Sequence, residues 1–77
     1  MAQVTIYTSP TCRFCTMAKD YLTEKGVEFT EKNVAVDQEA VKFLMSKGHR
    51  GVPVIYVDDE EIVGFDQNRL DQLLNLN

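Results

Sequence analysis

Apolar and polar positions alternate over residues 3–8, with Val4 and Ile6 on one side and Thr5 and Tyr7 on the other. β-Branched and aromatic residues at a period of two predict a strand. The period then changes. Over residues 13–25, Phe14, Met17, Ala18, Tyr21 and Leu22 recur at helical spacing, and Gly26 suits the end of that helix. Val27 to Val36 contains a second predicted strand, shorter than that window and built around Phe29. Asp37 then caps a helix over 38–47, with Ala40, Val41, Leu44 and Met45 as its apolar face and Gly48 at its end. Pro53-Val54-Ile55-Tyr56-Val57 is a near-continuous apolar run, as expected of a central strand. Asp58-Asp59-Glu60 turns into Glu61-Ile62-Val63, and a link this short makes the two strands antiparallel. Asp66 caps a last helix that carries Leu70, Leu73 and Leu74.

The order is therefore βαβ, α, ββ, α. It predicts an α/β fold: a small four-stranded mixed sheet with three helices on its two faces, the first βαβ unit being a right-handed crossover. No repeat, low-complexity tract or linker interrupts residues 1–77, so one domain is expected. At 77 residues with 44% hydrophobic composition, the chain can build one compact core.

Charge and targeting signals narrow the setting. The net charge of −4 disfavours nucleic acid or an anionic membrane as partner. No stretch approaches the roughly 20 apolar residues that span a bilayer, and Met1-Ala2-Gln3 does not begin a leader-like pattern. A monomeric, soluble, cytoplasmic protein is the expectation, in a compartment that keeps thiols reduced.

The chemistry concentrates in Cys12-Arg13-Phe14-Cys15, which holds the chain's two cysteines. Two thiols at i and i+3 at the start of a helix share one side and lie within reach of each other. The unpaired N–H groups and partial positive charge of a helix N-terminus favour thiolate over thiol. As a staple the pair is poor, because closing so short a loop removes little unfolded-chain entropy. As a zinc knuckle it is short of ligands, since a structural site needs four and the chain adds only the distant His49. No metal is assigned. A redox pair beside a βαβ unit fits best. Cys12, at the exposed helix start, is the expected nucleophile; Cys15, a turn deeper beside Ala18 and Leu22, is the expected second thiol.

The stretch from Tyr7 to Cys15, with Val52-Pro53 and Gly64-Phe65-Asp66, resembles the glutaredoxin family of the thioredoxin fold across essentially the whole chain. The resemblance implies a dithiol–disulfide oxidoreductase that reduces protein disulfides. It also implies a cis Pro53 opposite the cysteines, with the Val52 backbone available to an extended substrate segment. Gly48-His49-Arg50-Gly51-Val52-Pro53 is similar to the Gly-x-Arg-x-x-Pro segment of NrdH-type redoxins, which implies thioredoxin reductase as electron donor and ribonucleotide reductase as a client. Asp66 with Val52-Pro53 instead matches glutaredoxins recharged by glutathione, which implies no tightly bound cofactor. Ser9 where those often carry Lys, Gln67 after Asp66, and Arg13-Phe14 in place of Pro-Tyr all count against tight glutathione binding. The donor therefore stays open between the two. A third reading, from another class, is a cluster-binding module in which two chains each give Cys12 to a bridging iron–sulfur centre.

Several residues carry two readings. Arg13 is close enough to support a Cys12 thiolate, or serves partner contact. Arg50 offers a fork donor to a carboxylate of glutathione or of an acidic partner, or is a solvated loop residue. His49 reads as a solvated loop residue. Phe14 suits either the core or the rim of the site, where it would meet a protein substrate. Asp66 is a helix cap whose helix start could also hold the charged end of a glutathione-like ligand. The acidic run Asp58–Glu61 reads as a solvated turn.

Overall fold

The computed structural model describes residues 3–49 and 51–74. Its elements run β1 (Val4–Thr8), α1 (Arg13–Glu24), β2 (Thr30–Asn33), α2 (Gln38–Ser46), β3 (Val54–Val57), β4 (Glu60–Val63) and α3 (Gln67–Leu74). The strands form one sheet in the order β2-β1-β3-β4. β1 and β2 are parallel, joined through α1, and the β1–β3 and β3–β4 pairs are antiparallel. This is the expected four-stranded mixed sheet with three helices.

The alternation read in β1 sorts the two faces. Ile6 pairs with Ile55, and Ile55 with Ile62, so these three side chains share the face covered by α1 and α3. They join Val4, Ala18, Leu22, Val57 and Leu70 in the larger core cluster. Tyr7 pairs with Val54 on the opposite face, where Ala40 and Leu44 of α2 complete a smaller cluster.

Helix ends explain how the loops are aimed. Asp37 accepts a hydrogen bond from the Ala40 amide at 3.1 Å, and Asp66 one from the Arg69 amide at 3.1 Å, so both residues cap as expected. Gly48, at φ +83°, ends α2: its amide donates to Met45, and the His49 amide to Leu44. A residue without Cβ adopts that left-handed turn at little cost.

Three packing expectations are corrected. β2 is not built around Phe29; it begins at Thr30, and Phe29 lies ahead of it, packed on the larger core. β2 is an edge strand, so its polar residues face water without loss. On α1 the buried stripe is Cys15, Ala18 and Leu22, whereas Phe14 and Met17 are exposed. On α2, Met45 points to solvent, and Phe43, outside the expected face, stacks on Tyr7 at 5.4 Å between ring centroids. A short helix over a narrow sheet buries only the residues above the strands. Among the described residues, no helix is long and apolar enough to cross a membrane.

Candidate active site

Cys12 is the N-cap of α1, with extended backbone dihedrals. Its sulfur stands where a Ser or Asp oxygen usually stands, and the Cys15 amide donates to it at 3.0 Å. The Thr8–Cys12 turn leads into this cap: the Cys12 amide donates to the Ser9 carbonyl at 3.3 Å. Cys12 and Cys15 are joined as a disulfide, with Cα atoms 5.2 Å apart. Their environments differ. Cys12 is partly exposed, while Cys15 is 1% exposed and belongs to the stripe that α1 buries.

Across the site, the Val52 carbonyl oxygen lies 3.6 Å from Cys12 Sγ. The Val52–Pro53 peptide bond is cis, as the resemblance implied. The Gly64 amide donates to the Pro53 carbonyl at 2.9 Å, which brings the loop before α3 beside the same segment. Gly48, His49, Gly51, Val52, Pro53, Val63 and Gly64 surround a cleft of about 330 Å³. A second, apolar groove of about 640 Å³ runs from Ser9 and Val52 over Val34, Val41 and Met45.

The structure thus gathers Cys12, Cys15, Val52 and Pro53. Arg13, the first residue of α1, is exposed, and Phe14 beside it is 58% exposed, so Phe14 is not a core residue. Asp66 sits at the start of α3 with its carboxylate engaged as a cap. Arg50 lies outside the described residues.

One expectation fails. His49 is not a solvated loop residue: its side chain is 11% exposed, and Nε2 lies 3.0 Å from Glu61 Oε2. The same carboxylate oxygen accepts a hydrogen bond from the Tyr56 hydroxyl at 2.9 Å. His49 and Tyr56 hold the Glu61 carboxyl below its usual range, while burial first, and Glu61 second, push the Tyr56 hydroxyl up to about 12. Sequence offered one signal for this. A two-residue turn at Asp58-Asp59 registers Glu61 opposite Tyr56, away from the face that Ile62 buries.

A second polar cluster lies behind the cysteines. The buried Thr8 hydroxyl donates to Glu31 Oε2 at 2.7 Å, and Lys19 Nζ reaches the same oxygen at 2.9 Å. These two donors lower the Glu31 carboxyl from its ordinary value. No local pattern in the sequence marks it, because Thr8 and Glu31 meet only once β1 and β2 are paired in register.

Comparison with known proteins agrees with this geometry. The glutaredoxin family model matches residues 4–62. An uncharacterised glutaredoxin-like protein of Clostridium pasteurianum is 39% identical, over 92% of this chain and 96% of that protein. Glutaredoxin 3 of Escherichia coli is 41% identical over 86% of this chain and 81% of its own length. The solved structure of NrdH-redoxin from Escherichia coli, a glutaredoxin-like protein with a thioredoxin-like activity profile, superposes with a TM-score of 0.81 at 31% identity, covering 97% and 95% of the two chains. With the sheet order, the paired cysteines at the cap of α1 and this matched span together, the chain belongs to the glutaredoxin family of the thioredoxin fold.

Proposed function

We propose that this chain is a dithiol–disulfide oxidoreductase that reduces protein disulfides through Cys12 and Cys15. The observation that carries the reading is the asymmetry of the pair: a partly exposed sulfur capped by the Cys15 amide, and a buried partner one turn deeper. In the reduced chain, that amide and the α1 N-terminus face the charge of a Cys12 thiolate. The thiolate attacks a substrate disulfide, forming a mixed disulfide and releasing one substrate thiolate, which takes up a proton. Cys15, after losing its proton, attacks the Cys12 sulfur, and the second substrate thiol leaves. The substrate gains two electrons and the chain ends with the Cys12–Cys15 bond.

The Val52 carbonyl beside Cys12 suits backbone pairing with an extended substrate segment, and exposed Phe14 and Arg13 suit contact with its flanks. Recharging falls to thioredoxin reductase or to glutathione. The Gly48–Pro53 segment and the likeness to NrdH-redoxin support the first, with ribonucleotide reductase as a client; Asp66 at the start of α3 supports the second.

The test is NADPH oxidation in the presence of a protein disulfide, run once with thioredoxin reductase and once with glutathione and its reductase. Activity with one system and not the other is expected, and it is expected to vanish in Cys12→Ser. Full activity in that variant overturns the assignment.

A further inference from the structure

His49 follows the end of α2, and Val52, three residues further on, lies beside Cys12. The His49 backbone is fixed by its amide's bond to Leu44. The His49 side chain reaches β4, where Glu61 meets it. Glu61 is itself held by the Tyr56 hydroxyl from the neighbouring strand. The segment that presents Val52 is thus tied to the sheet by a side-chain pair outside the cysteine site.

The character of the tie matters. Nε2 and Oε2 are 3.0 Å apart, close enough for an ion pair when the imidazole is protonated. Among the described residues, the other charged or titratable groups around it are Tyr56, which bonds to Glu61, and Lys47 at the end of α2, whose charge also favours ionised Glu61.

We infer that His49 and Glu61 are positioning residues: their contact helps to place Val52 beside Cys12, so that capture of extended peptide disulfides depends on it. The inference rests on the oxidoreductase reading, because only a substrate with a peptide backbone has something to pair with Val52. A small disulfide without a backbone needs Cys12 alone. The pair should therefore govern one substrate class and leave the other untouched.

The experiment compares the fully reduced chain with Glu61→Gln and His49→Phe in single-turnover oxidation. One oxidant is a disulfide-bonded peptide; the other is 5,5′-dithiobis(2-nitrobenzoic acid), which has no peptide backbone. Both variants are expected to react about three- to fivefold more slowly with the peptide, and as fast as the parent with the small disulfide. An equal loss on both oxidants means a general structural effect and overturns the inference. So does an unchanged rate on the peptide. Failure of the underlying reading looks different: the parent chain itself then reduces neither oxidant.

Discussion

Cys12 Sγ lies 3.6 Å from the Val52 carbonyl oxygen, across 40 residues of sequence. In the disulfide the sulfur has no proton to donate, so the contact is one of proximity. It places the proposed attacking atom beside the backbone proposed to pair with a substrate strand.

Cys15 is buried and Cys12 partly exposed, and in the proposed reaction this makes Cys12 the first thiol to attack. Cys15→Ser is expected to stop turnover after the first attack and to trap a mixed disulfide between Cys12 and a protein substrate. Non-reducing electrophoresis checks this. Absence of a reductant-sensitive adduct would remove Cys15 from the resolving role.

Leu22 is fully buried between α1 and the sheet. Leu22→Ala is expected to cost about 2–5 kcal/mol, a large share of the roughly 5–15 kcal/mol that holds a small domain together. Urea denaturation measures it. A loss below about 1 kcal/mol would mean that the cavity collapses.

The Asp66 carboxylate accepts the Arg69 amide at 3.1 Å and lies in water. Asp66→Ala should destabilise α3 by about 1 kcal/mol, while Asp66→Asn, which keeps a capping oxygen, should cost less. The comparison is again by denaturation. Equal losses would assign the effect to charge at the helix start instead of to the cap.

Glu31 is held below its usual 4.5, first by the Thr8 hydroxyl and then by Lys19. A carboxyl lowered by folding stabilises the native state above its unfolded value, and that contribution disappears as pH falls through the folded one. Glu31→Gln is therefore expected to melt below the parent near neutral pH, with the gap closing between about pH 5 and about pH 3. Thermal melts of both chains across that range decide it. A gap that is flat with pH would contradict the ion pair.

Local signals read well wherever the deciding interaction was itself local. The period of two in β1, the caps at Asp37 and Asp66, the turn at Gly48 and the i, i+3 cysteines all depend on neighbours within a few residues. Periodicity misread α1 and α2 at their margins. It marks which residues are apolar, not how wide a surface awaits them, and so it points Met17 and Met45 inward where the structure exposes both. Aromatic propensity predicts Phe29 in a strand, whereas the structure packs it on the core before β2 begins.

By itself the sequence determined the order of elements, the mixed sheet, the redox pair and its asymmetry, because each follows from spacing along one segment. The tertiary structure alone decided that His49 is bound to Glu61, that Thr8 is bound to Glu31, and that Val52 faces Cys12. These partners are 12, 23 and 40 residues apart. Such meetings depend on strand register and on the course of the segment between α2 and β3, neither of which leaves a local trace.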